Sequence, residues 1–344
     1  MIDCDVHVAP PALATLVEYM EPGPRAWIAE RGWKGPPSIA TVYPPNAPST
    51  VAPRWRDRDG AAPGADVATL QADVLGPDGA EQAILNCYYG LDSVRHQDLA
   101  GWLASAVNDW LIAEWLDRDP RLRASLVVPA HTHTDIVAEI ERVGEHPGFV
   151  QVLMPVRNTL AYGSRNWWPV YEAMTRHDLV FGLHWGGSTD AAPTPTGWPS
   201  WYVEEYAGEQ QVFMAQLTSM VSEGVFQRFP DLRVAVLEIG FGWLPSLLWR
   251  LDSEWKGLRR IVPWLDRVPS AIVRDNVRLS TAPMDAGPPD QLARILEWVG
   301  PEMLMYASDY PHHHDDDLEL LLGAAPAGAR DRILAGTARD FYGL

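Results

Sequence analysis

The 344-residue chain carries a formal charge of −18, which argues against nucleic acid and anionic membrane surfaces as partners but leaves room for a small anionic substrate in a locally positive pocket. Of its residues 47% are apolar, enough for a sizeable core, yet no run approaches the roughly 18 uninterrupted apolar residues of a membrane span. Its two cysteines, Cys4 and Cys87, lie in apolar strand-like runs and make no disulfide framework; with no basic or apolar leader in the first residues, a cytoplasmic location is expected.

The first residues, MIDCDVHV, read as a strand. Alternation along a strand puts Asp5 and His7 on one face and Cys4, Val6 and Val8 on the other. Residues 9–80 break the pattern. A third of the 30 prolines lie between Pro22 and Pro77, and GPPSIATVYPPNAPSTVAPRWRDRDG reads as no regular element. This stretch is expected to be an irregular insertion with a short helix near Pro11–Met20, of the kind that serves function or packs against a partner.

From residue 81 strands and helices alternate. EQAILNCYY is a strand, and the helix HQDLAGWLASAVNDWLIAEWLDRD follows with Leu99, Leu103, Ala106, Val107 and Trp110 on one face. LRASLVVP leads to the helix THTDIVAEIERVGE, FVQVLMP to NWWPVYEAMTRH, and LVFGLHWG to EQQVFMAQLTSMVSEGVFQRF. RVAVLEIG leads to WLPSLLWRLDSEWKGLRR, VRLSTAPM to PDQLARILEWVG, and LMYASDYP to DDLELLLG and a last helix near DRILAGTARDFYG. Counting the first, eight strands alternate with helices. That rhythm predicts parallel pairing with right-handed crossovers, an α/β fold of the (β/α)8 TIM-like barrel type with a Pro-rich insertion after strand 1. One domain is expected over 1–344, with the insertion at 9–80 inside it. No GxGxxG turn follows the first strand, which disfavours a dinucleotide-binding sheet.

Functional residues of such a barrel sit at the C-terminal ends of the strands. Those ends offer Asp5 and His7 on strand one, His184 on strand five, Glu238 on strand six and Asp309 on strand eight. Each has an ordinary reading alone: His184 as a hydrogen-bonded core residue, Asp309 as a turn cap before Pro311, Glu238 as a buried salt-bridge acid. Together, two imidazoles and two carboxylates from strands one, five and eight suit a divalent ion with positions left open for water or substrate. Tyr88, Trp185 and Trp243, at strand ends, are candidates to stack on an aromatic ring, as is the neighbouring Tyr89. His312 of the run HHH is a candidate for substrate binding, and the run is also readable as a solvated turn. His131 and His133 of HTH follow strand three and are expected to be structural or pocket-lining.

The DxH of strand one, the His of strand five and the Asp of SDYP on strand eight resemble the amidohydrolase superfamily. More closely they resemble its branch of metal-dependent decarboxylases related to aminocarboxymuconate semialdehyde decarboxylase, which includes the γ-resorcylate and 5-carboxyvanillate decarboxylases. PSLLWRLD, with Pro245 and Arg250, is similar to that branch as well. The resemblance covers residues 1–8 and 81–344. It implies a metal set of Asp5, His7, His184 and Asp309 and a homodimer or larger homo-oligomer; Arg250, down the helix from Trp243, is a candidate for substrate binding, for a partner subunit's site or for a plain salt bridge. One departure stands out. The branch carries a His six residues before the proline, where this chain has Ile239, with Glu238 beside it. The Lys that dinuclear relatives carry on strand four is absent from FVQVLMP, so a single ion is expected, Zn²⁺ first and Mn²⁺ as the alternative.

The resemblance implies a non-oxidative decarboxylase of a small unsaturated or aromatic carboxylic acid; either Glu238 replaces the His of that branch or the proton chemistry differs, and Glu238 is the candidate to deliver the proton, with Asp309 assisting. The alternative on the same scaffold is a hydrolase or hydratase acting on a C–C, C–N or C=C bond, in which Asp309 moves the proton of a metal-activated water.

Overall fold

The computed structural model describes residues 1–36, 50–57, 60–76, 79–187, 197–284, 287–314 and 316–344. Eight strands form one sheet: β1 (Ile2–His7), β2 (Gln82–Asn86), β3 (Leu122–Val127), β4 (Phe149–Arg157), β5 (Val180–Gly187), β6 (Val234–Leu237), β7 (Val277–Ser280) and β8 (Leu304–Met305). Each pairs in parallel with the next in sequence. The sheet curls back on itself: Cys4 N–H donates to the Tyr306 carbonyl at 3.0 Å and His7 N–H to the Tyr310 carbonyl at 2.7 Å. The (β/α)8 barrel expected from the sequence is the fold observed.

Parallel strands covered on both sides read as continuous apolar runs, and β4 is buried at every position. The two sides belong to different cores. Ile2, Cys4, Ile84, Val150, Val180, Ala235, Leu237 and Met305 meet in the lumen, with Phe341 and Tyr342 of the last helix beneath them. Val6, Val8, Val234, Val236, Phe181 and Leu183 face outward into the helical layer.

This arrangement corrects the simple alternation expected for the first strand. Asp3 pairs with Ala83 and Val6 with Leu85, so three steps along β1 match two along β2. The extra residue is a bulge. Cys4 therefore lies on the lumen side together with Asp5 and His7, and only Val6 and Val8 pack outward.

The insertion is more regular than its composition suggests. It contains α1 (Leu13–Val17), α2 (Pro22–Arg31), α3 (Pro53–Arg56) and α4 (Val67–Asp73). Pro22 and Pro24 stand in the first turn of α2, where the backbone N–H groups have no intrahelical acceptor, so proline there costs no hydrogen bond. Gly32 ends the helix at φ 61°. Residues 37–49, the middle of the Pro-rich run, lie outside the described residues. The segment after them docks on the loop beyond β8: Ala52 N–H donates to the Pro311 carbonyl at 2.9 Å and His313 N–H to the Thr50 carbonyl at 2.7 Å. The insertion thus forms part of the rim of the barrel mouth.

The outer layer comprises α5 (Gln97–Leu111), α6 (His133–Val143), α7 (Trp168–Arg176), α8 (Tyr202–Ser222), α9 (Val225–Arg228), α10 (Leu244–Leu258), α11 (Pro269–Asn276), α12 (Pro289–Val299), α13 (Leu318–Ala324) and α14 (Thr337–Tyr342). Helix α8 begins well before the EQQVF pattern that announced it. The Glu204 carboxylate accepts the Ser200 and Trp201 N–H groups, each at 2.8 Å, and so caps an earlier start. Among the described residues no helix is long and apolar enough to cross a membrane.

Candidate active site

The C-terminal rim brings Asp5, His7, His184, Glu238 and Asp309 together. His7 Nε2 lies 3.0 Å from Asp309 Oδ1 and 3.3 Å from Asp5 Oδ1. His184 Nε2 lies 3.4 Å from both Asp5 Oδ1 and Glu238 Oε2. Asp5, His184, Glu238 and Asp309 are all buried. Glu238 and Asp309 stand just beyond β6 and β8 with φ of 58° and 52°, a left-handed conformation that non-glycine residues rarely adopt. The turn matters for Glu238. Val236 faces outward, so plain alternation would have sent Glu238 outward too; the left-handed residue redirects its carboxyl into the mouth.

Ring orientation suits cation binding. The His184 Nδ1–H donates to the Trp185 carbonyl at 2.7 Å, which leaves a lone pair on Nε2 facing two carboxylates. His184 Nε2, His7 Nε2 and Asp5 Oδ2 are buried and have no hydrogen-bond partner. Candidate ligand atoms of Asp5, His7 and His184 lie within 4.8 Å of one another, as do those of His7, Asp309 and His312, and those of Glu238, Asp309 and His314. Orphaned lone pairs and concentrated negative charge are the signature of a buried cation site, and these residues fit a divalent ion.

The electrostatics agree. Burial by itself would lower the His7 pKa, but Asp5 and Asp309 overcome it and hold the ring well above its usual range. Burial would raise the Asp5 carboxyl, yet His184 and His7 pull it below its ordinary value. Asp309 is likewise held far down against its burial by His312, His314 and His7. Glu238 goes the other way. Burial, followed by the nearby Asp309 charge, pushes its pKa well above the carboxylate range, so its carboxyl favours the neutral form.

A cavity of about 530 Å³ opens above this cluster. Its walls include Tyr88, Tyr89, Trp185, Tyr202 and Tyr206, with Lys34 from the insertion and Asp92 also lining it. The Tyr88 and His184 ring centroids are 5.7 Å apart, and those of Trp185 and Tyr206 are 5.8 Å apart. His312 borders the same cavity, and its Nδ1 meets Asp309 Oδ1 at 3.0 Å. His314 reaches Asp309 Oδ2 at 2.5 Å.

Two expected residues are placed elsewhere. Trp243 is buried at the start of α10, where its indole N–H donates to the Gly240 carbonyl at 3.2 Å. The Arg250 side chain is 76% exposed on α10 and pairs with Glu254 at 2.9 Å. Neither lines the cavity; Arg250 lies seven positions beyond Trp243 along α10, and the helix carries it away from the mouth. His131 and His133 are structural: His131 Nε2 meets the Asp92 carbonyl, and His133 packs edge-on against Trp167 with centroids 4.2 Å apart.

The cavity wall and its backing include residues the sequence patterns do not point to. Tyr202 and Tyr206 project from the first turns of α8, which the apolar pattern did not announce. Glu205 and Glu209, from the same turns, clamp Arg157 at the end of β4, with Arg157 Nη1–Glu205 Oε1 at 2.8 Å and Arg157 Nη2–Glu209 Oε2 at 2.5 Å. The i, i+4 spacing of both pairs, Tyr202 with Tyr206 and Glu205 with Glu209, together with the capping glutamate, was the available signal.

A family model described as amidohydrolase matches residues 2–344. Among solved structures, the chain is similar to 5-carboxyvanillate decarboxylase from Sphingomonas paucimobilis at 19% identity and TM-score 0.69, covering 100% of this chain and 99% of that one. It is similar to 2,6-dihydroxybenzoate decarboxylase from Rhizobium at 18% identity and TM-score 0.71, covering 99% and 98%. A dihydroxybenzoic acid decarboxylase from Polaromonas sp. JS666, determined with bound manganese and the inhibitor 2-nitroresorcinol, matches at 18% identity and TM-score 0.69, covering 100% and 96%.

Proposed function

Because the chain belongs to the amidohydrolase family, we propose that it is a metal-dependent, non-oxidative decarboxylase of a small aromatic carboxylic acid. One observation carries the reading: a buried carboxyl, Glu238, stands beside a cluster of candidate cation ligands at the base of a cavity walled by aromatic rings. Asp5, His7, His184 and Asp309 would hold the ion, which supplies Lewis-acid attraction for the substrate's carboxylate or neighbouring hydroxyl oxygens. Two carboxylates and two imidazoles suit either Mn²⁺ or Zn²⁺, and the manganese of the Polaromonas enzyme supports Mn²⁺ ahead of Zn²⁺.

Tyr88, Trp185, Tyr202 and Tyr206 hold the ring by stacking and exclude water. Glu238 gives its proton to the ring carbon that bears the carboxylate. The C–C bond to that carboxylate then breaks, its electron pair returns to the ring, and carbon dioxide leaves. Glu238, now ionised, recovers a proton from solvent. His312 and His314 hold Asp309 by both oxygens, which fixes its orientation towards His7.

The experiment is direct. Protein supplied with Mn²⁺ is incubated with a panel of hydroxy- and methoxybenzoates that includes 2,6-dihydroxybenzoate and 5-carboxyvanillate, and carbon dioxide release is followed. Hydrolysis of amides or lactones with no carbon dioxide from any panel member would overturn the reading in favour of the hydrolase.

The same reading takes residues 1–344 as one catalytic domain with 9–80 inserted, and the free, buried thiols of Cys4 and Cys87 support a cytoplasmic enzyme. It also takes the chain as a homodimer. Trp198, Trp201, Val203, Trp249, Ile261 and Trp264 are exposed, more large apolar surface than single scattered residues contribute, whereas Trp27, Trp33 and Trp55 of the insertion pack on the core.

A further inference from the structure

Beneath the cluster, a line of buried polar side chains crosses the barrel lumen from the last helix to Asp5. The Tyr342 hydroxyl donates to Gln151 Oε1 at 2.8 Å. Gln151 Nε2 donates to Ser125 Oγ at 2.7 Å, the Ser125 hydroxyl donates to Asn86 Oδ1 at 2.5 Å, and Asn86 Nδ2 donates to Asp5 Oδ1 at 2.7 Å. Asn86, Ser125 and Gln151 are fully buried and Tyr342 nearly so.

Two features set this line apart from ordinary satisfaction of buried polar groups. All four hydrogen bonds run in one direction, each acceptor being part of the next donor, so polarisation accumulates towards the carboxylate at the end. The lumen is also shaped for it. A Cβ at residue 182 would lie 2.4 Å from Gln151 Cδ, so the glycine on β5 makes room for the Gln151 side chain. The oxygen that receives the line, Asp5 Oδ1, is the one 3.3 Å from His7 Nε2 and 3.4 Å from His184 Nε2.

We propose that Tyr342 is a positioning residue for Asp5, acting through Gln151, Ser125 and Asn86, and that this line sets the affinity of the site for its divalent cation. The inference rests on the reading of Asp5, His7, His184 and Asp309 as the cation site. Asn86 fixes the rotation of the Asp5 carboxylate, and the residues behind it fix Asn86. Partners of this kind, one step removed from a ligand, are typically worth about 10–100-fold in metal affinity.

The test uses the full chain stripped with chelator and titrated with Mn²⁺ alone, free Mn²⁺ being counted by its paramagnetic resonance signal. Tyr342→Phe and Ser125→Ala each remove one hydroxyl with little change of volume. Each is expected to raise the Mn²⁺ Kd by more than twofold but by less than the roughly tenfold or more of a partner that touches the ligand itself, as Asn86 does, and the double variant to bind no more weakly than Ser125→Ala alone, since a line cut at Ser125 no longer transmits Tyr342. Gly182→Ala removes no hydrogen-bonding atom but crowds Gln151, and is expected to weaken Mn²⁺ binding as well. Kd values within twofold of the parent protein for both single variants, or effects that multiply in the double variant, would overturn the inference. A parent protein that binds no stoichiometric Mn²⁺ would instead overturn the cation site itself.

Discussion

Glu238 and Asp309 leave two different strands with the same left-handed backbone turn, and their side chains meet so that the Asp309 charge adds to burial in raising the Glu238 carboxyl. Asp309, held by His7, His312 and His314, keeps its charge against burial. Glu238 has His184 Nε2 at 3.4 Å, but burial and the Asp309 charge outweigh the pull of His7 and raise its pKa. Two left-handed non-glycine residues each cost on the order of 1 kcal/mol or more, so both are places where the fold gives up stability to aim a carboxyl.

Replacing Glu238 with Gln separates proton transfer from shape. The amide keeps the size and the hydrogen-bonding capacity but has no proton to transfer. We expect turnover to fall by about 10²-fold or more, with Mn²⁺ content unchanged by elemental analysis. Activity within a few-fold of the parent would assign the proton to another group.

The metal assignment predicts a different pattern for the imidazoles. His7→Ala and His184→Ala should each lose most of the bound metal, because each removes a nitrogen ligand and leaves carboxylates facing one another. Trp243→Phe, in the core behind the rim, should retain it. Full metal retention by both histidine variants would remove the proposed ligand set.

Much of this was legible in the sequence, for a physical reason. Buried parallel strands must be apolar, so a polar residue at a strand end stands out, and Asp5, His7, His184 and Asp309 were found that way. The shared face of Asp5 and His7 survives the bulge in β1, which falls between Asp3 and Val6, but plain alternation misplaces Cys4. Glu238 also stands at a strand end, but alternation from the outward-facing Val236 would turn it away from the mouth; a single left-handed residue reverses the side, and alternation carries no trace of it. Tyr202 and Tyr206 were missed because a helix turn that lines a cavity is amphipathic in a different sense from one that packs on a core. Of the readings open for Arg250, the helix places it on the outer surface in a plain salt bridge with Glu254.

The exposed tryptophans bear on assembly. Light scattering should give a mass of at least twice the 38.2 kDa of one chain. Replacing Trp249 and Ile261 together with Ser should shift the protein towards the monomer if that surface is the interface. A monomer at micromolar concentration in the parent protein would sink the proposed homodimer.

The last prediction concerns the Arg157 clamp behind the cavity wall. One guanidinium faces two buried carboxylates, Glu205 and Glu209, and can neutralise only one of them fully. Burial therefore dominates at Glu209 and, despite Arg157, raises its pKa from 4.5 to about 7. An unfolded chain ionises the same group near 4.5, so between pH 4.5 and 7 the folded state binds more protons than the unfolded one. Stability from this group is thus complete below pH 4.5 and is lost as pH rises to about 7, a change on the order of 2–3 kcal/mol. Glu209→Gln cannot ionise and leaves Arg157 paired one-to-one with Glu205. Its urea-unfolding free energy should fall less between pH 5 and pH 8 than that of the parent protein, which other buried acids also tilt. Parallel profiles for the two proteins would mean that Glu209 stays ionised throughout, and that Arg157 holds both glutamates as anions.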